Sequence, residues 1–125
     1  MSKVALIVGT LGESKVEVVK LLRSYLRLEL WRIVELAGSG RPMIERKLFD
    51  RADPTFASSL QVVLSQLEKL RIHYDAYEIL DEQPFRVGDE SKFFRLDATK
   101  LRNIVDAEEE SIRQQIELGE LESGN

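Results

Sequence analysis

The chain has 125 residues, of which 43% are hydrophobic and 32% are charged, and it contains no cysteine. This length and composition predict a globular domain with one modest core and a heavily solvated exterior. Disulfides and thiolate metal ligands are excluded because cysteine is absent. No apolar run approaches the roughly 18 residues of a membrane span, and the segment MSKVALIVGT has too little apolar length for a signal peptide. We therefore expect a cytoplasmic protein that does not enter a membrane.

Charge is distributed unevenly along the chain. Residues 1–80 hold 12 Lys and Arg against 10 Asp and Glu, which gives +2, whereas residues 81–125 hold 6 against 12, which gives −6. The asymmetry predicts a near-neutral body, residues 1–82, followed by an acidic extension, residues 83–125. Nucleic-acid binding requires a clustered basic footprint, so we expect no nucleic-acid partner.

The first forty residues predict a strand and two helices. The run KVALIVG at residues 3–9 is β-prone and ends at a glycine, which favours a buried strand. After a turn with Ser14 as a candidate cap, the first helix is expected from Lys15 to Leu26. A second helix is expected over residues 28–37, closed by the GSG that follows. The apolar stripes of these two helices are Val18, Leu21, Leu22, Tyr25 and Leu26, and Leu30, Ile33, Val34 and Ala37.

Residues 43–80 predict a strand, a helix and a second strand. MIERKLF at 43–49 has charges between β-prone ends, which is typical of a short edge strand. Asp53 as a cap, with Pro54 in the first turn, favours a helix over residues 54–70. YDAYEIL at 74–80 alternates in polarity and predicts a strand. The inner side of the helix is expected to be Phe56, Leu60, Val63, Leu64, Leu67 and Leu70.

The extension predicts a loop over residues 81–88 and then a long helix. Phe93 and Phe94 are expected to hold the extension against the body. Asp97 is the expected cap of a helix that runs from Ala98 to about residue 118, with residues 119–125 frayed. The apolar stripe of this helix, interrupted by glutamates at 108 and 109, is Leu101, Val105, Ile112 and Ile116.

The order of elements predicts an α+β fold, a two-layer β-α-α-β-α-β sandwich with a small three-stranded sheet, plus a C-terminal helix. The stripe on that last helix would suit docking on the body or pairing with a second copy in a homodimer.

Neither a catalytic site nor a metal or cofactor site is predicted. The only histidine, His73, lies at a helix–strand junction, where a solvated turn histidine is expected. A transition-metal site is disfavoured without further histidines or cysteines, and no nucleophile turn of the G-x-S-x-G type is present. VGTLGES at 8–14 lacks the patterns of nucleotide-binding loops. We therefore expect a protein that is not an enzyme and binds no cofactor.

The first helix carries a second stripe that folding alone does not require. Val16, Val19, Lys20 and Arg23 cluster opposite the predicted core side of this helix. Exposed valines among cations are typical of a modest protein interface with a polar rim, although single exposed apolar residues are common on any surface. Trp31 is either a binding hot spot or a cover for the edge of the core.

The run SKVEVVKLLR at residues 14–23, followed by LRLELWRIVEL, MIERKLF, LSQLEKL and YDAYEI, resembles the C-terminal domain of the bacterial ribosomal stalk protein. The first helix matches that family's K-V-x-V-[IV]-K-x-[VL]-R pattern, and the resemblance covers about residues 3–80. The fold is also similar to that of the Clp protease adaptor. In the stalk family the exposed side of the first two helices recruits translational GTPases, which implies partner contacts here at Lys15, Val16, Val19, Lys20 and Arg23.

The chain departs from the stalk family in several places. Arg27 and Glu29 replace a glycine pair, and Trp31, Arg32 and Ile33 stand where the family has a lysine and alanine pattern. We expect no counterpart of the family's N-terminal dimerisation segment, and an acidic helical extension instead. We favour a non-enzymatic interaction or adaptor module that docks a partner protein, such as a GTPase or another NTPase. The alternative is an acidic inhibitor or immunity-type protein that acts through its extension. The predicted docking residues are Lys15, Val16, Val19, Lys20, Arg23 and Trp31.

Overall fold

The computed structural model describes residues 2–80, Phe85 and residues 93–123. Over these residues the chain forms four strands and four α-helices, which confirms the predicted α+β class. The strands are β1 (Ser2–Val8), β2 (Ile44–Lys47), β3 (Tyr74–Leu80) and β4 (Phe94–Leu96). The helices are α1 (Lys15–Leu26), α2 (Leu30–Leu36), α3 (Phe56–Lys69) and α4 (Ala98–Ser123), and a 3-10 turn, Gly12–Ser14, precedes α1.

The four strands form one antiparallel sheet in the order β2-β1-β3-β4. β1 lies inside the sheet, paired with β2 on one side and with β3 along its whole length on the other. β2 is therefore an edge strand, as predicted. The prediction of three strands is wrong, because β4 pairs with β3 and places Leu96 opposite Ala76. A strand of three residues is too short to show an alternating pattern in the sequence.

The main core lies between the sheet and the helices. Val4, Leu6 and Val8 of β1 are fully buried there, since alternate side chains of a strand point to the same face. α3 packs against both α1 and α4 and forms the centre of the helical layer. Its predicted inner side is confirmed apart from Leu70, which is half-buried. The buried side chains of α3 are Phe56, Ala57, Leu60, Val63, Leu64 and Leu67.

The start of α3 differs from the prediction. The helix begins at Phe56 with Thr55 at the cap position, so Asp53 is not its cap. The Asp53 backbone N–H instead donates to the carbonyl of Asp50 at 3.0 Å and closes a separate turn. The proline therefore lies in this turn and not within the helix.

The beginning of α4 belongs to the main core. Leu101 is fully buried, and Ile104 and Val105 pack against the same cluster. Asp97 caps the helix as predicted, because its Oδ1 accepts the Lys100 N–H at 2.8 Å. The helix continues to residue 123, further than the predicted end near residue 118. The predicted loop over 81–88, apart from Phe85, and the predicted boundary after residue 82 lie outside the described residues.

A second, smaller apolar cluster covers the other face of the sheet. Tyr77 of β3 stacks with Phe85 at a centroid distance of 6.0 Å, and Phe93 lies 5.8 Å from Phe85. The prediction that Phe93 holds the extension on the body is confirmed. The same prediction for Phe94 is wrong: its side chain is 56% exposed and lies beneath the Lys100 ammonium.

Candidate protein-docking surface

α1 and α2 are neighbouring antiparallel helices on the helical side of the sheet. α2 ends where Gly38, at φ 77°, donates its N–H to the Val8 carbonyl at 3.0 Å. Val8 is the last residue of β1, and the chain reaches the first turn of α1 only a few residues later. The C-terminal end of α2 is thereby held beside the N-terminal end of α1. The two helices together form the candidate surface, which we call the α1/α2 face (residues 15–36).

A tight turn between the helices sets their relative direction. Arg27 ends α1 in the left-handed conformation, at φ 55°, and its N–H donates to the Leu22 carbonyl. Leu28 then turns inward and is buried, while the Glu29 carbonyl accepts the first hydrogen bonds of α2. Left-handed helix caps favour glycine because a Cβ is disfavoured there. Arg27, which replaces a stalk-family glycine in the predicted alignment, therefore has a backbone conformation that favours glycine.

The predicted docking residues are exposed, with one exception. Val16 is 66% exposed and Trp31 is 61% exposed, which are large fractions for apolar side chains of this size. Val19 is half-buried and packs against the main core, so folding accounts for part of its role. The remaining predicted residues, all exposed and all cationic, are Lys15, Lys20 and Arg23.

The rotation of α1 differs from the prediction. Its buried line is Val18, Leu22 and Leu26, which follow one another at a spacing of four residues. Tyr25 was expected on the core side but is 46% exposed, and it lines a groove beside the N-terminal end of α3. The rotation of α1 about its axis that exposes Tyr25 also brings Val19 partly into the core.

α2 contributes more exposed apolar surface than the sequence predicted. Only Ile33 is buried among the described side chains of this helix. The expectation that Leu30 and Val34 lie in the core is wrong, since they are 47% and 50% exposed. With Trp31 they form an outward apolar patch, because Val34 lies four residues after Leu30 and three after Trp31, and both spacings make neighbours on a helix surface.

One hydrogen bond holds α2 on the body, and another holds its exposed Trp31 side chain. The Arg32 Nε donates to the Met43 carbonyl at 3.0 Å, which ties the inner side of the helix to the segment before β2. The Trp31 indole N–H donates to the carboxylate of Glu29, the cap residue two positions earlier in the chain. This hydrogen bond holds the indole ring on the surface, where no described residue buries it.

Other polar groups outside this face form ordinary structural contacts. His73 is largely exposed, as predicted, and its Nε2 lies 3.3 Å from Asp75, which also pairs with Arg95 at 2.5 Å. Glu68 accepts hydrogen bonds from the Tyr74 hydroxyl at 3.1 Å and from the first N–H of α4 at 3.3 Å. Burial, together with the Glu68 charge, raises the pKa of Tyr74 well above its usual value.

Within the described residues, no group of three or more histidine, aspartate or glutamate side chains could hold a metal ion. None of the helices in that part of the chain combines the length and apolarity that crossing a membrane demands.

Comparison with known proteins yields no match: neither a protein-family model, nor a curated protein, nor a solved structure matches the chain. The resemblance to the ribosomal stalk domain stays a prediction.

Proposed function

We propose that this chain is a non-enzymatic interaction module that docks a partner protein on its α1/α2 face. The observation that carries the proposal is the outward apolar patch of α2, centred on Trp31, beside the exposed Val16 of α1. Tryptophan is enriched at binding hot spots.

The charge around the patch defines the kind of partner. Residues 15–36 hold five Lys and Arg against three Glu, which gives +2. The cations nearest Val16 in the sequence, at positions 15, 20 and 23, are exposed on the same helix. An apolar centre with a cationic rim is complementary to a partner surface that has apolar anchors with carboxylates around them. The stalk-like helix pattern suggests a GTPase or another NTPase as that partner.

Two variants test the proposal. Affinity capture followed by mass spectrometry identifies a partner, which is then purified and titrated against the purified chain. Trp31→Ala should weaken binding by about 2 kcal/mol, roughly thirtyfold in Kd, if the indole is a hot spot. The double reversal Lys20→Glu with Arg23→Glu should weaken binding further and should change its salt dependence.

Matched controls separate binding from folding. Phe94→Ala removes an aromatic side chain of similar exposure on a different part of the surface. Arg51→Glu with Arg102→Glu makes the same change in net charge at two exposed positions outside the α1/α2 face. The controls should leave both Kd and melting temperature unchanged. Partner binding that is equally strong in the Trp31 variant, the double reversal and the controls would show that the face is not the docking site.

The acidic extension gives the alternative function, because every described side chain of α4 from Glu109 onward is exposed. A truncation that tests this alternative must keep Leu101, which is part of the core. A chain that ends at Glu110 meets this condition. Retained partner binding by this shortened chain supports docking on the α1/α2 face, whereas lost binding supports an acidic inhibitor.

A further inference from the structure

The outer half of α4 extends beyond the helix that supports it. α4 starts at the C-terminal end of α3, where Glu68 accepts a hydrogen bond from the Ala98 N–H, and packs back along α3. The 26 residues of α4 span roughly 39 Å, whereas the 14 residues of α3 span roughly 21 Å. The last half-buried side chain on α4 is Glu108, and every described side chain after it is exposed. Within the described part of the chain, no residue buries the side chains of the outer half, residues 109–118.

Of the three large apolar side chains exposed on this half, two lie on the same side of the helix. Ile112 and Ile116 are 47% and 56% exposed, and their spacing of four residues places them on one side of the helix. They continue the stripe that begins with the buried Leu101, so the side that packs on α3 reappears further out without a partner. A helix with one exposed apolar line and polar surroundings is suited to lie in an apolar groove.

The charge of this half is opposite to that of the α1/α2 face. Residues 109–118 hold one Arg against three Glu, which gives −2, while residues 15–36 carry +2. Side-by-side pairing of two such helix ends would bring two −2 segments together, which is disfavoured. The complementary surface for the end of α4 is therefore the α1/α2 face.

The α4 end cannot reach the α1/α2 face of its own chain. The first half of α4 is fixed by Leu101 in the core, and the sequence from Ala98 to Leu118 contains neither glycine nor proline at which the helix could break. A second copy has no such constraint. Two copies can each place their α4 end on the other's face around a twofold axis, which closes the assembly as a dimer.

We propose that the chain forms a reciprocal homodimer in which residues 109–118 of each copy dock on the α1/α2 face of the other. This inference rests on the proposed function, since it uses the same face, and it names a second copy of the chain as one occupant of that face. Ile112 and Ile116 then meet the patch of Leu30, Trp31 and Val34, and the glutamates of α4 meet the cations of α1.

A charge-swap experiment tests the dimer. Sedimentation equilibrium of the full chain at low salt should show a monomer–dimer equilibrium. The face variant Lys20→Glu with Arg23→Glu, and the tail variant Glu109→Lys with Glu117→Lys, should each raise the dimer dissociation constant by at least about tenfold. An equimolar mixture of the two variants should dimerise again, because each reversed surface then meets a reversed partner.

Different outcomes identify different errors. Arg51→Glu with Arg102→Glu should leave the dimer unchanged. A full chain that is monomeric at all concentrations overturns the inference, and so does a dimer that persists in the face variant, which would indicate pairing between α4 helices. The tail variant keeps the α1/α2 face intact, so it should still bind the protein partner. Loss of the dimer with retained partner binding would contradict only the dimer. Loss of partner binding with a retained dimer would contradict only the proposed function.

Discussion

Leu101→Ala tests whether the acidic extension folds as part of the body. Leu101 is fully buried on α4 within the same core as α3 and the sheet. Truncation of a fully buried leucine costs about 3 kcal/mol, because it combines the lost transfer free energy with the cavity that remains. Urea unfolding followed by far-UV circular dichroism should show one cooperative transition, with its midpoint lowered by about 1 to 3 M.

The matched control for this variant lies on the same helix. Ile112→Ala removes a side chain that is 47% exposed, so its free energy of unfolding should change by less than about 0.5 kcal/mol in the monomer. If Leu101→Ala lowers the free energy of unfolding by less than about 1 kcal/mol, the conclusion that α4 shares the core of the body is refuted. A separate early transition for α4, with the main transition unmoved, would refute it equally and would support two independent units.

Two further predictions concern the backbone and the pH dependence of stability. Arg27→Gly should raise the free energy of unfolding by up to about 1 kcal/mol, because glycine removes the penalty of a Cβ at φ 55°. Arg27→Ala keeps the Cβ and should not raise it. Thermal melts compare the two variants, and equal effects would assign the change to loss of the arginine side chain. Stability should fall as pH rises above about 10, because the unfolded tyrosine ionises there while the raised pKa of Tyr74 keeps the folded hydroxyl protonated. In urea titrations, Tyr74→Phe should lower the free energy of unfolding by about 1 kcal/mol at pH 8 and make its decline above pH 10 shallower. An unchanged pH dependence of the free energy of unfolding would contradict the role of Tyr74.

The sequence predicts the two long strands well because their patterns are local. β1 has a continuous apolar run, as expected for a strand buried on both faces, and Val4, Ala5, Leu6 and Val8 are all inaccessible to solvent. β3 alternates in polarity and is observed at the predicted residues, 74–80. In both strands each residue's own position fixes its environment, so no information about distant parts of the chain is required.

The back of the sheet could not be predicted in the same way. Tyr77, Phe85 and Phe93 come together across 16 residues of chain. Neither Phe85 nor Phe93 belongs to a periodic stretch, and their contact depends on the path of the segment between them. The sequence indicated only that phenylalanines near 93 would pack somewhere on the body, and it did not distinguish Phe93 from Phe94.

The rotation of α1 shows how a helix with too many apolar residues becomes ambiguous. Valines and leucines occupy more than half of its circumference, so the period alone allows several core faces. The neighbouring elements decide between them. Tyr25 lies at a groove lined by Thr55 and Phe56 at the start of α3, where its ring remains partly in solvent, and Val19 takes the position nearer the core.

The error at α2 has the largest consequence for function. A helix of seven residues makes two turns, and Ile33 together with the Arg32 hydrogen bond to Met43 is enough to hold it on the body. The apolar residues Leu30 and Val34 were assigned to the core only because they fit a helical period. Since they are exposed, they place the apolar centre of the candidate surface on α2 around Trp31, while α1 supplies mainly the cationic rim. Substitutions on α2 should therefore affect partner affinity through the dissociation rate, and those at Lys20 and Arg23 chiefly through the association rate.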